Sequence, residues 1–348
     1  MSVLDLTTTH CFIHANAEKL NAFPDSSIEL VVTSPPYPII QMWDEAFSAL
    51  NPLIGDATQA GDGARAFELM HACLWPIWQE VFRVLCPGGF ACINIGDAVR
   101  SLGSDFRLYP NHAKLEADFA RLGFIELPCI IWRKTTNAPT KFMGSGMLPA
   151  GAYVTLEHEY ILIFKKPGRR PWHQKELQKR RRLSSLFWEE RNQYYSDLWH
   201  FLGERQDLNA ASRSRSAAFP FELAWRLISM YSLIGDTVLD PFSGTGTTAS
   251  AAAALGRHSL NFELDASLLE VAEQRFWDSL GFWQQQAQQR LAAHRGFCEQ
   301  HQAKGGRLIY QNKHYGFPVK TSQELELYVP IPTHCERQGS NEYLVSYQ

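Results

Sequence analysis

Seven short runs rich in Val, Ile and Phe recur along the chain, at residues 11–14, 28–33, 90–95, 124–133, 159–165, 237–240 and 259–262. They show little polar alternation. A sheet with one wet face would alternate apolar and polar residues, so strands of this kind are expected to be covered on both faces. Segments with apolar residues at helical spacing lie between them. Residues 64–85 form one, with Pro76 a predicted kink or break and Pro87-Gly88-Gly89 turning the chain into the next strand. Residues 111–122 read as a helix capped by Asn111 and stopped by Gly123; 221–233 ends at Gly235 and 247–255 at Gly256. Alternating strands and helices predict an α/β fold with a doubly wound, mostly parallel sheet. No helical pattern separates 124–133 from 159–165, so that pair is expected as an antiparallel hairpin at the sheet edge.

Composition excludes several classes. The 348 residues are 45% hydrophobic and 20% charged, which suits a globular chain with one large domain or two ordinary ones. No run of about 18 or more apolar residues is present, so a membrane span is not expected. The start, Met1-Ser2-Val3-Leu4-Asp5, lacks the basic and apolar regions of a signal peptide. Seven scattered cysteines form no C-x-x-C pair, which predicts a reduced, cytoplasmic protein without a zinc site. The net charge of −3 does not decide for or against nucleic acid, because phosphate binding needs only a local basic face. Residues 165–182 offer one, with nine Lys or Arg against the single acid Glu176.

Two loops carry the chemistry. Val238-Leu239-Asp240-Pro241-Phe242-Ser243-Gly244-Thr245-Gly246-Thr247-Thr248-Ala249 reads as strand, glycine turn and helix start. Gly244 and Gly246 permit a tight turn and close backbone approach. The next strand ends at Phe262-Glu263, where a carboxylate can accept both hydroxyls of a ribose. The pair reads as a nucleoside-cofactor site. Gly244-x-Gly246-x-x-Ala249 also fits the dinucleotide fingerprint, so the loop alone leaves S-adenosylmethionine and NAD both open.

Upstream, the strand 28–33 delivers Ser34-Pro35-Pro36-Tyr37 to its C-terminal end, where α/β sheets place ligands. Two prolines fix φ and remove two N–H donors, leaving a rigid turn that presents carbonyl oxygens. Such an acceptor array suits a substrate amino group. Ser34 adds a hydroxyl, and Tyr37 offers an aromatic face for a flat base.

Together these motifs resemble the beta class of DNA amino-methyltransferases, in which the catalytic motif precedes the cofactor motif as a circular permutation. Thr33-Ser34-Pro35-Pro36-Tyr37 and Asp240–Thr248 carry the resemblance, with residues 82–89 and His158-Glu159-Tyr160-Ile161-Leu162-Ile163-Phe164 similar to neighbouring family segments. The resemblance implies a seven-stranded Rossmann-like catalytic domain over 1–166 and 216–276, a DNA-recognition insertion over 167–215, and an unassigned extension over 277–348. It implies S-adenosyl-L-methionine held by Asn16, Thr33, Phe219, Asp240, Pro241, Phe242, Ser243, Gly244, Thr245, Gly246, Thr247 and Glu263. Asn16 stands where the family often has an aspartate, and Phe219 begins the helix that closes over the methionine moiety. Ser34, Pro35, Pro36 and Tyr37 would handle an extruded base. Serine before Pro-Pro-Tyr implies cytosine N4 rather than adenine N6.

The implied partners are double-stranded DNA and a cognate restriction endonuclease. Arg169, Arg170, Lys175, Lys179, Arg180, Arg181, Arg182, Arg213 and Arg215 are the expected phosphate and base contacts, with 135–151 a second candidate DNA face or lid. In-line transfer needs positioning and no covalent intermediate, so Cys129, within an apolar strand, is expected to be buried and inert. Outside this class stand an NAD-dependent oxidoreductase, which leaves Ser34–Tyr37 unexplained, and a non-catalytic DNA-binding protein. No histidine has metal spacing, and His158, His173 and His200 are taken as structural or phosphate-contacting.

Overall fold

The computed structural model describes residues 6–103, 105–134, 143–144, 150–203 and 219–348. Ten strands form one sheet: β1 (Thr7–His14), β2 (Ile28–Thr33), β3 (Leu85–Ile95), β4 (Ile125–Arg133), β5 (His158–Lys165), β6 (Leu198–His200), β7 (Thr237–Asp240), β8 (His258–Glu263), β9 (Pro332–Gln338) and β10 (Glu342–Tyr347). Their spatial order is β6-β4-β5-β3-β2-β7-β8-β1-β10-β9. The run from β3 to β1 is parallel throughout. β5 is antiparallel to both β3 and β4. The seven expected strands are all present, and three more extend the sheet at its two ends. β6 pairs parallel to β4 and takes the edge that the β4–β5 pair was expected to occupy. β10 and β9 add an antiparallel ladder beside β1, so residues 332–347 of the unassigned extension 277–348 extend the sheet.

The strands are apolar because both faces are covered. On one face lie α1 (Asp44–Leu50), α2 (Pro52–Gln59), α3 (Gly63–Val84) and α4 (Asn111–Leu122), whose Phe47, Met70, Trp78, Leu115 and Phe119 join Val31, Ile93 and Leu162 in one core. On the other, α7 (Phe221–Tyr231) and α8 (Thr247–Ala254) pack Leu227, Ile228 and Ala251 against Leu30, Val32 and Val238. α5 (Lys175–Leu183), α6 (Trp188–Tyr194), α9 (Ala266–Trp277) and α10 (Leu280–Ala303) complete the helices used below.

Helix α3 runs through Pro76 without a break. Two local expectations fail. Pro87-Gly88-Gly89 lies inside β3 as a register shift opposite β2, with Gly88 at φ +81°, and not as a turn before it. Asn111 is the first residue of α4 and Pro110 its cap; the asparagine amide is directed inward instead. Gly123 does terminate α4, at φ +96°.

Candidate active site

From β2 the chain winds outward to β3, and from β7 it winds the opposite way to β8. Their adjacent C-terminal ends therefore form the crevice of a topological switch point, the place where open α/β sheets hold ligands. A cavity of about 470 Å³ opens there, lined by Ser34, Pro35 and Pro36 from the β2 side and by Pro241, Phe242, Ser243, Gly244, Thr245 and Thr247 from the β7 side. Glu263, Asn16 and Phe219 also line it, as do Met42, Trp43 and Phe47 from α1 and its approach. These last three carry no sequence signal, being ordinary apolar residues until the fold places them.

The glycine turn is built as its residues require. Gly244 and Gly246 sit at φ +52° and +80°, in the left-handed region that glycine occupies without strain. A Cβ on Gly244 would meet nothing within 4 Å, so the backbone there faces open space, whereas one on Gly246 would stand 3.2 Å from Ala272 Cβ. Gly246 therefore serves helix packing, and Gly244 faces the cavity. Glu263 Oε2 accepts the Gly244 N–H at 2.8 Å, and Oε1 accepts from Leu264 and Asp265 N–H at 2.9 Å each. Oε2 keeps a second lone pair for a ligand hydroxyl. Burial raises the Glu263 pKa, with these backbone donors opposing it. Ser243 Oγ is buried without a partner on the same wall, a polar atom that awaits a ligand group. An adenosyl-type ligand, with two ribose hydroxyls and an apolar-faced ring, fits this set.

Thr33, Asp240 and Gly246 do not line the cavity as expected. Thr33 Oγ1–H donates to Asp240 Oδ1 at 2.6 Å, and Phe242 N–H donates to the same oxygen at 3.1 Å. Asp240 thus ties β2 to β7 behind the wall and supports the turn from below. Its burial lifts its carboxyl pKa to about 6, against hydrogen bonds that lower it. Asn16 is present on the wall, where its Oδ1 also accepts Glu18 N–H at 3.1 Å to cap a short 3₁₀ turn.

Tyr37 is placed differently from the expected exposed stacking face. Its ring is only 4% exposed and packs so closely on Gly96 that a Cβ there would lie 3.0 Å from Tyr37 Cε2. Its hydroxyl accepts from Ser34 Oγ–H at 3.0 Å and from Asn94 Nδ2–H at 2.8 Å, and donates to Glu159 Oε2 at 3.0 Å. Burial, then the neighbouring Glu159 charge, hold the phenol pKa well above its usual value.

The rest of the loop is held from behind. Asn111, fully buried, donates its two amide hydrogens to Pro38 and Gly96 carbonyls at 3.1 and 3.0 Å, while its Oδ1 lies 3.0 Å from His71 Nε2. Burial lowers the His71 pKa to about 4, which leaves a neutral ring that can donate this one N–H. Ile39 follows at φ +68°, a conformation a β-branched side chain adopts only when its surroundings impose it. Arg100 does so by bonding both the Ile39 carbonyl and Asp44.

The basic run lies at the other end of the molecule. β5 descends from Glu159 at the cavity edge to Lys165 beside Phe90, so the chain after β5 begins at the N-terminal edge of the parallel strands. There Asp236, preceding β7 with a fully buried side chain, accepts from Arg170 at 2.6 and 2.8 Å and from Arg180 at 2.6 Å. The guanidiniums of these two arginines, both expected among the DNA contacts, are engaged with a buried carboxylate. Arg169, Lys175, Lys179, Arg181 and Arg182 are exposed. They follow β5, which ends at Lys165 level with Leu30 of β2, toward the end of the parallel strands away from Ser34. Arg213 and Arg215 lie outside the described residues, as does most of 135–151. Cys129 is half-buried, off the cavity wall, with its thiol pKa raised by burial.

Among the described residues one group has metal-ligand proximity, Glu189, His294 and Glu324. Hydrogen bonds account for it: His294 Nδ1 meets Glu189 at 2.7 Å, and Glu324 accepts from Trp188 N–H and from Thr321. Also among them, no helix is long and apolar enough to cross a membrane.

The sequence profile of the DNA methylase family, N6 and N4 methyltransferases, matches residues 28–274. The chain is 48% identical over 346 residues to the type II methyltransferase M.MthZI of Methanothermobacter thermautotrophicus, covering 99% of this chain and 96% of that protein. It is similar to a putative DNA modification methylase of Thermus thermophilus solved with S-adenosyl-L-methionine, at 35% identity and TM-score 0.57, over 77% of this chain and 93% of that one. A likeness of fold alone links it to the PvuII DNA methyltransferase (cytosine-N4-specific), at 18% identity and TM-score 0.53, over 78% and 88% of the two chains.

Proposed function

Since the chain belongs to the N6/N4 DNA methylase family, we propose that it transfers a methyl group from S-adenosyl-L-methionine to the N4 amino group of cytosine in duplex DNA, as the modification enzyme of a type II system. One observation carries this reading. The Ser34-Pro35-Pro36 turn and the Ser243–Gly244 turn, with Glu263, are walls of a single cavity at the switch point.

The methyl donor supplies an electrophilic carbon on a sulfonium. Everything else falls to the chain's own residues. Glu263, set by the Gly244 N–H, would hold the nucleoside end, and Ser243 Oγ would offer it a further polar contact. Pro35 and Pro36 have no N–H, so the loop offers carbonyl and hydroxyl acceptors alone to an incoming amino group. Accepting its N–H bonds orients the nitrogen lone pair toward the donor carbon, and rigid placement at about 3–3.5 Å accounts for much of the rate. Ser34 favours cytosine over adenine through its resemblance to N4-type motifs. A base can reach the cavity only after leaving its stack, and DNA must approach from the carboxyl edge of the sheet. Incubation with labelled S-adenosyl-L-methionine and duplex DNA, followed by nucleoside identification, tests the reading. N4-methylcytosine is expected; N6-methyladenine would reassign the base, and an unlabelled nucleic acid would remove the function.

A further inference from the structure

A hydrogen-bonded chain leads away from the cavity wall at Ser34. Ser34 Oγ–H donates to Tyr37 Oη, and Tyr37 Oη–H donates to Glu159 Oε2, each at 3.0 Å. Asn94 spans both links, with Nδ2 at 2.8 Å from Tyr37 Oη and 2.6 Å from Glu159 Oε2. The other carboxylate oxygen, Oε1, is held by the Lys134 ammonium. Tyr37 and Asn94 are buried, and the Glu159 side chain keeps 13% exposure. One end of the chain therefore faces the cavity, and the other is a carboxylate with access to solvent. Packing alone does not account for this convergence. Asn94 directs its N–H groups at Tyr37 and Glu159 while its own Oδ1 has no partner, an arrangement that favours the chain over its own satisfaction.

We propose that Glu159 is the terminal proton acceptor for methyl transfer, reached from the target amino group through Ser34 and Tyr37. The inference rests on the amino-methyltransferase reading. As the nitrogen lone pair forms the N–C bond, the donor's C–S bond breaks and sulfur keeps that electron pair as a thioether. One N–H proton passes to Ser34 Oγ, the Ser34 proton to Tyr37 Oη, and the Tyr37 proton to Glu159 Oε2. The N–H electron pair returns to nitrogen, so the methylated base ends neutral. Ser34 and Tyr37 also end neutral, and Glu159 releases its proton to water. Tyr37 conducts without ionising, gaining one proton as it loses another; its raised phenol pKa suits that role. Lys134 serves as the counter-ion beside the acceptor.

The test compares Glu159→Gln, Tyr37→Phe, the double variant and Glu159→Asp in single-turnover methyl transfer to duplex DNA, from mildly acidic to alkaline pH. Calorimetric binding of S-adenosyl-L-methionine and thermal unfolding are measured in parallel. Glu159→Gln is expected to slow transfer by about 10²-fold, the lower range for a lost general base. KM and cofactor affinity should stay near wild type while Tm falls with the lost Lys134 pair, and the rise of rate with pH should flatten. Tyr37→Phe should reproduce this loss, the double variant should be no slower than the worse single one, and Glu159→Asp should recover part of the rate. Wild-type rate and pH profile in Glu159→Gln would overturn the relay, as would multiplying losses in the double variant. So would a rate loss matched by lost cofactor binding. A wild-type protein that methylates no duplex would remove the function itself, a result distinct from an active wild type with an indifferent Glu159→Gln.

Discussion

Asp236→Asn isolates what holds the basic segment against the sheet. The wild-type carboxylate takes three donated bonds from Arg170 and Arg180 and a fourth from Leu233 N–H at 2.8 Å. An asparagine would keep one acceptor oxygen and turn an N–H₂ toward two guanidiniums, whose side chains are only 10% and 25% exposed. Removing one partner from a buried pair costs about 3–5 kcal/mol; the partial exposure of Arg180 argues for the lower end, about 3 kcal/mol. With a urea slope near the upper end of about 3 kcal/mol per molar, the unfolding midpoint should fall by about 1 M at unchanged slope. Charge reversal of Lys175 and Lys179, which are exposed, should leave that midpoint in place and spare methylation of a short duplex. If Asp236→Asn unfolds like wild type yet binds DNA poorly, Arg170 and Arg180 belong to the DNA and their structural assignment is wrong.

Three further outcomes are expected. Gly244→Ala and Gly246→Ala should each cost about 1–2 kcal/mol for the left-handed backbone, with an added loss at Gly246 from the 3.2 Å approach to Ala272. Calorimetry should show that Gly244→Ala loses more cofactor affinity than its stability loss explains, because its Cβ enters the cavity. Asp240, with its folded pKa raised to about 6 from 3.8, binds protons more tightly folded than unfolded, so its contribution to stability declines as pH rises through that window. Asp240→Asn keeps an acceptor for Thr33 and Phe242, and should gain up to about 3 kcal/mol over wild type above pH 6, a gap that closes toward pH 4 in urea unfolding. Asn111→Ala strips the partners from two carbonyls and the His71 ring, and should destabilise by at least about 2 kcal/mol while lowering kcat; an unaltered kcat would detach the Asn111 staple from the catalytic loop.

The sheet was legible because its strands are uniformly apolar, and the two loops because proline and glycine restrict the backbone wherever they stand. What stayed hidden depends on partners far away in sequence. Thr33 and Asp240 looked like ligand contacts by their nearness to the motifs, yet each satisfies the other across 207 positions. Asn111 looked like a cap, since an asparagine before a helix usually is one; the buried Pro38 and Gly96 carbonyls compete for it and win. Glu159 stood in a segment similar to the family's, but its partnership with Lys134 could be recognised only once β4 and β5 were paired.

The position of the basic run results from one strand direction. Positive charge close in sequence to a catalytic domain suggests a DNA face, but charge density has no direction and the sheet does. An antiparallel pairing of residues 124–133 with 159–165 is already expected from the absence of a helix between them. Beside strands β3 and β4, which rise toward the cavity, one that runs the opposite way must end at the opposite edge. Lys165 therefore could not emerge beside Ser34, and Arg170 and Arg180 meet Asp236 at the start of β7 for the same reason. The strands that do rise to the cavity edge on that side are β4 and β6, ending at Arg133 and His200. The chain leaving those two strands, and not the cationic helix α5, starts on the face where an extruded base would enter.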